Sequence, residues 1–247
     1  MDLTWVSRLE SEPFKSISTV GLQLWSGGFL LGDFLLHLSL LPEPLFKGEI
    51  VLEIGSGVGL IAVLCGQPIV GCRCFLATDL ASHGILETLS RNVSRFVADL
   101  SLVRVLPLDL LDSDHPLLGG TKDIWDADTI RLFKNSCRYI IASDIIYKDD
   151  VTFALVSHLV HLLTPNRVLF LAMEKRVQFT LADLEEKIPA RDYFLDTIEA
   201  FNVQYAETER PAPRISAELI DIQGLPQYFN YTRTPELELW KIEVVYS

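Results

Sequence analysis

At 247 residues and 27.8 kDa the chain has room for one α/β domain with modest insertions and little room for two. Apolar residues at 49% against 22% charged ones exclude disorder, and 33 acidic residues against 21 basic ones oppose binding to a phosphate backbone, so nucleic acid is not expected as a direct ligand. The net charge of −12 keeps an apolar chain in solution and also favours encounter with basic partners.

Residues 1–18 read as an N-terminal extension, without the basic stretch and apolar run of a secretory signal. A helix is expected over 28–41; Asp33 and His37 interrupt its apolar run and Pro42 ends it, leaving it too short to span a bilayer. Strand-like runs then recur at 49–54, 73–78, 102–106, 138–143 and 167–172, with helices expected at 60–66, 83–96 and 151–163. Runs apolar on both faces and spaced by crossovers mean a parallel sheet covered by helices. The segment 112–134 carries five acids, Pro and Gly-Gly and reads as an acidic surface insertion or loop. A last helix is expected over 181–201, with Thr180 and Asp183 as its N-cap region and Pro189 splitting or kinking it. Two further strands at 215–221 and 237–245 lack a helix between them and suit an antiparallel pair at the sheet edge, for seven strands in all. The four cysteines (65, 72, 74 and 137) have no zinc-ligand spacing and read as buried free thiols, so no metal is expected.

The chemistry concentrates at the carboxyl ends of two strands. Glu53, Gly55, Ser56, Gly57 and Gly59 follow the first strand and open a helix, the context in which a glycine turn lets backbone approach a nucleotide. A dinucleotide fingerprint would require Gly at position 60, where Leu60 stands, which disfavours a nicotinamide dehydrogenase. Asp79, followed by Leu80 at the end of the second strand, stands where a carboxylate holds ribose hydroxyls; the alternative is an acid that caps the next helix. The fourth strand ends in Ser143, Asp144 and, three residues on, Tyr147, so an acid and an aromatic leave one strand edge together. A lysine amine has a pKa of about 10.4, and only its neutral form carries a lone pair. A carboxylate can hold such an amine while an aromatic wall desolvates it. By themselves, a cap Asp and a core Tyr would give the same pattern.

The spacing E-x-G-x-G-x-G resembles motif I of the seven-strand S-adenosylmethionine-dependent methyltransferases, and D-x-x-Y resembles the signature of the family 16 lysine methyltransferases. Gly21 and Trp25 resemble that family's G-x-x-x-W entry segment over the cofactor, although Trp25 could equally be a core aromatic. With the stretches 173–181 and 237–242 the resemblance runs over nearly the whole chain from Thr19. It implies a Rossmann-like α/β fold, S-adenosylmethionine as methyl donor, and methyl transfer to a protein lysine. It also implies cofactor contacts at Trp25, Glu53, Gly55, Ser56, Gly57, Gly59, Asp79, Leu80, Asp109, Leu110 and Ser143, and catalytic roles for Asp144 and Tyr147. Leu110 departs from the family, which commonly has Trp there near the adenine. Glu174 and Arg176 join as weaker candidates, with a surface salt bridge as the alternative. The resemblance further implies a monomer in nucleus or cytoplasm acting on a basic protein, such as a nuclear nucleic-acid-binding one. The rival readings are the same fold acting on a small amine or another protein nitrogen, and a module that binds cofactor without turnover.

Overall fold

Strand β1 (Ile50–Ile54) is buried along its whole length, and its side chains alternate between two cores. Val51 joins a core with β2 (Cys74–Asp79) and the helices α1 (Ser26–Ser39), α2 (Leu60–Cys65) and α3 (Ile85–Phe96). Ile50, Leu52 and Ile54 point the other way, toward α4 (Ala127–Ser136), α5 (Asp149–Leu162) and α6 (Pro189–Thr208). This is the period-two alternation of a strand covered on both faces. The computed structural model describes the chain except residues 1, 14–16, 113, 116, 118–123, 164–165, 177, 181–184, 209–210 and 247; at 17–19, 178–180 and 185–187 it describes backbone alone.

Beyond β1 and β2 the chain forms β3 (Val103–Pro107), β4 (Cys137–Ser143) and β5 (Val168–Glu174), a hairpin of β6 (Gln178–Thr180) and β7 (Glu185–Lys187), then β8 (Pro213–Ile220) and β9 (Leu237–Tyr246). The seven-stranded sheet has the order β3-β2-β1-β4-β5-β9-β8. β1 to β5 are parallel, and β9 runs antiparallel to both β5 and β8. Chain direction across the sheet reverses between β1 and β4, and the carboxyl ends of strands at such a switch point frame a crevice. This is the expected α/β architecture with its antiparallel edge pair. All four cysteines are buried and free, and no helix among the described residues is long and apolar enough to cross a membrane.

Three expectations need correction. The last helix begins at Pro189, not at 181, so that proline starts the helix instead of kinking it; a first-turn position needs no N–H. Ahead of it lies the hairpin, with Thr180 in β6 where a helix cap was expected, and Asp183 is outside the described residues. The supposed loop 112–134 contains most of α4, whose N-terminus Asp126 caps by accepting the Thr129 N–H at 2.6 Å. Just before it, Trp125 is buried and its Nε1 donates to the Pro107 carbonyl at 2.8 Å. Parts of that segment (113, 116 and 118–123) lie outside the described residues. The N-terminal extension packs on the body: Trp5 and Leu9 enter the core and Glu10 pairs with Arg91 of α3.

The acid that breaks the apolar run of α1 has a structural reason. Asp33 is fully buried; one carboxylate oxygen accepts the Tyr228 and Phe229 N–H groups at 2.6 and 3.0 Å. The other accepts the Tyr231 hydroxyl at 2.9 Å and the Arg233 guanidinium at 2.5 Å. The connection between β8 and β9 is thus tied to the helix whose first turn faces the crevice. Arg167, also buried, donates to the carbonyls of Cys137, Leu162, Phe133 and Lys134 and so occupies the unpaired carboxyl ends of α4 and α5.

Candidate active site

The glycine turn is held against β2 by two hydrogen bonds, from Gly55 N–H and Ser56 N–H to the Thr78 carbonyl at 3.0 and 2.9 Å. Gly57 then adopts φ +53°, and a Cβ there would stand 3.0 Å from the Gly21 carbonyl oxygen, so both backbone angle and space favour glycine. Its N–H donates to one oxygen of Asp79 at 2.7 Å, while the Leu80 N–H donates to the other at 2.7 Å. Asp79 is thereby fixed with a lone pair left on each oxygen, the geometry that suits a vicinal diol. Burial pushes its carboxyl up to about 6. Glu53, at the end of β1, is buried and pushed up to about 8 by desolvation, against the pull of the neighbouring Ser56 side chain; its Oε2 makes no well-formed hydrogen bond among the described residues. Buried polar atoms left unspent in a cleft are available to a ligand.

The opposite wall is built by β4. Asp144 follows Ser143 with φ +54°, a left-handed conformation uncommon outside glycine and best tolerated by Asn and Asp. Its N–H donates to the Ala172 carbonyl at 2.9 Å, and its Oδ1 accepts the Glu174 N–H at 3.2 Å, so the end of β5 fixes both backbone and side chain. Oδ2 is shielded and makes no hydrogen bond among the described residues. Burial, against the pull of the Glu174 and Gly27 N–H groups, pushes this carboxyl up to about 6. A Cβ on Gly27 would lie 2.4 Å from that oxygen, so the first turn of α1 can approach Asp144 only as glycine. Beside them, Trp25 donates its Nε1 to the Val20 carbonyl at 3.0 Å and carries the Arg176 guanidinium over its ring at 5.1 Å. Tyr147 is half-buried, and desolvation pushes its phenol up.

One cleft is walled by Glu53, Gly55, Ser56, Gly57, Asp79 and Leu80 on one side and by Trp25, Ser143, Asp144 and Tyr147 on the other. Three residues expected at the cofactor stand elsewhere. Gly59 (φ +91°) is the entry residue of α2 and faces Leu89 in the core. The Asp109 carboxylate accepts the Leu111 N–H at 2.9 Å and serves its own turn, and the Leu110 side chain is buried in the core on the α4, α5 and α6 face. Glu174 contributes its backbone to Asp144, and Arg176 covers Trp25, so a salt bridge between the two explains neither position. The wall also contains Gln23, His83 and Ile145, which no motif marked, and Gly27 escaped notice because its reason is a tertiary approach.

A profile of the lysine methyltransferase family matches residues 120–196, which span β4, α5 and β5 with Asp144, Tyr147 and Arg176. The chain is 30% identical over 244 residues to human methyltransferase-like protein 22, covering 96% of this chain and 57% of that protein. It is 32% identical over 175 residues to the protein-lysine N-methyltransferase EFM3 of Chaetomium thermophilum, covering 69% of this chain and 48% of that one. The chain therefore spans about half the length of these curated relatives. Among solved structures, the methyltransferase domain of bacterial CtHen1-C aligns with a TM-score of 0.51 at 10% identity, over 87% of this chain and 98% of that one. SMU.776 complexed with SAH aligns with a TM-score of 0.52 at 14% identity, over 90% of this chain and 50% of that one. At such identities the likeness is one of fold.

Proposed function

Since the chain is a relative of the lysine methyltransferases with the fold of S-adenosylmethionine-dependent methyltransferases, we propose that it transfers a methyl group to the side-chain amine of a lysine in a protein substrate. The observation that carries this reading is Asp144: a carboxylate on a left-handed backbone, whose Oδ2 has at most the Gly27 N–H beside it, in one cleft with Trp25, Tyr147 and Asp79. Strain and an orphaned acceptor persist at a strand end only where the surroundings enforce them, and they gather at working sites.

The residues present fit the nucleoside-bearing donor. The Gly57 turn leaves backbone room, Asp79 keeps acceptor capacity for ribose hydroxyls, and Glu53 offers an unspent oxygen. Bound there, S-adenosylmethionine would supply a methyl on a sulfonium sulfur, open to in-line attack by an amine lone pair with the C–S bonding electrons returning to sulfur. Asp144 accepts an amine N–H and so aims the lone pair; its carboxylate also balances charge as the ammonium gives its proton to solvent water on entering the cleft. The rings of Trp25 and Tyr147 exclude water and favour the neutral amine over the ammonium. A charge of −12 supports a basic protein as the partner.

The deciding experiment incubates the purified chain with isotopically labelled S-adenosylmethionine and lysate from cells lacking its gene, then maps the modified atom by mass spectrometry. Label on lysine Nζ of a protein is expected. Label on another nitrogen or on a small amine, or cofactor binding without turnover, overturns the reading. In the same material Asp79→Ala is expected to weaken S-adenosylmethionine binding about 10- to 150-fold, since a hydrogen bond to a charged acceptor contributes about 1.5–3 kcal/mol. Calorimetric titration with unchanged affinity would remove Asp79 from the ribose.

A further inference from the structure

We propose that a groove beside the cleft, between the turn after β3 and the start of α5, docks a substrate segment carrying a large apolar side chain and a basic residue close to the target lysine; this rests on the reading of the cleft as a lysine methyltransferase site. The groove has Leu110 in its floor and Leu111, Phe153 and Tyr193 in its walls, with Asp149 and Asp150 at its rim. Leu111 is 53% and Phe153 51% exposed, in a chain that buries most of its large apolar side chains. Single exposed apolar residues are ordinary, but two that share one concave surface leave apolar area for a partner to cover. Phe153 also lies 5.6 Å from the ring of Phe201, so the apolar surface continues along α6.

The rim decides what kind of partner fits. Asp149 and Asp150 are exposed acids, and no Lys or Arg stands among the described residues lining the groove. Acids in the first turn of α5 also suit its dipole, which explains their presence on that helix but not the apolar floor beside them. A segment pairing an apolar residue with a cation satisfies both, and an acidic segment is repelled. The groove adjoins the cleft along the chain: Tyr147 and Lys148 wall the cleft, and the next residue, Asp149, walls the groove. Two peptide units separate Tyr147 from Asp149, at most about 7 Å, so two or three residues of extended substrate connect the lysine to its docked neighbour. Binding energy gained there, away from the reacting atoms, holds the lysine at Asp144.

The probes are two fluorescein-labelled 15-residue peptides with a central Lys and Leu-Phe-Arg placed two residues to its N-terminal or C-terminal side, and their counterparts with Ser-Ser for Leu-Phe or Glu for Arg. Fluorescence anisotropy and methyl transfer are read together, using the full chain and its Phe153→Ser and Leu111→Ser variants. Both positions are exposed, and unchanged S-adenosylmethionine affinity certifies that each variant is folded. The expected result is that one Leu-Phe-Arg peptide binds and is methylated, at least tenfold more weakly by Phe153→Ser, with its Ser-Ser and Glu counterparts similarly weakened. Peptides methylated equally well by Phe153→Ser overturn the docking site and leave the lysine reading standing. Groove-dependent binding without methylation overturns the docking of substrate together with the lysine reading, and no binding at all overturns the docking site. Sedimentation showing a dimer that Phe153→Ser dissolves would assign the groove to a second copy and overturn the proposal.

Discussion

Asp144→Asn is expected to lower kcat about 100-fold, at the lower end of what a positioned acid or base contributes, while S-adenosylmethionine affinity stays within about twofold. Asn is the informative replacement because it tolerates the left-handed backbone at φ +54°, where Ala would add strain of its own. It keeps the shape and an acceptor oxygen and removes the charge. The pH dependence gives a second readout with a definite sign. Burial pushes the Asp144 carboxyl up to about 6, so below that pH it is protonated and cannot balance an amine's charge. With S-adenosylmethionine saturating, so that Asp79, whose carboxyl is also pushed up to about 6, does not limit the rate, kcat/KM for the lysine substrate should rise as pH increases through about 6, and that rise should vanish in the Asn variant. A variant with full turnover and an unchanged profile would make Asp144 a structural tie between β4 and β5.

The larger effect on folding is expected from Asp33→Ala, which should cost about 3 kcal/mol, because it leaves the buried Phe229 N–H without its acceptor and the partly buried Arg233 guanidinium without its anion. Arg233 retains the Tyr231 hydroxyl and the Leu225 and Pro226 carbonyls but no anion, and the Tyr228 and Phe229 N–H groups lose their acceptor. Urea unfolding should show a lower midpoint with unchanged slope. Asp33→Ala combined with Arg233→Met should recover part of the loss, since the stranded cation is gone. A single-variant loss below about 1 kcal/mol would put the pair with exposed ion pairs. The tie also bears on the cleft, because Trp25 and Gly28, which line it, stand at the start of the same helix.

The parallel strands were legible because doubly buried strands write unbroken apolar runs, as at β1, whereas their order in the sheet, and with it the switch point, is set by tertiary pairing. Failures came where local chemistry was read without its tertiary partner. Pro189 has the look of a break inside the 181–201 pattern, whereas a proline is equally a start. In 112–134 the acids and glycines outweighed Trp125, yet the anchor of that segment is an indole donating to the Pro107 carbonyl. At the cleft, Asp79 and Asp144 lie where strand ends put them, but spacing could not tell that Gly59 turns toward Leu89 or that Leu110 enters the opposite core. Gly27 and Arg176 act through neighbours distant in sequence, Asp144 and Trp25, which one chain's pattern does not encode.

β8 precedes β9 in the chain yet joins the sheet only through it, since β9 lies between β5 and β8. During synthesis, strands β1 to β5, the glycine turn and Asp144 are therefore all made while the free side of β5 has no partner. β8 then emerges with nothing in the sheet to bond. The Asp33 carboxylate waits as well, for residues 228–233. A nascent chain that has not reached residue 237 thus carries the residues of the cleft on a sheet with an open edge, a template for pairing with other chains. Addition of β9 pairs that edge and recruits β8 in one step, which moves the edge of the sheet from β5 to β8.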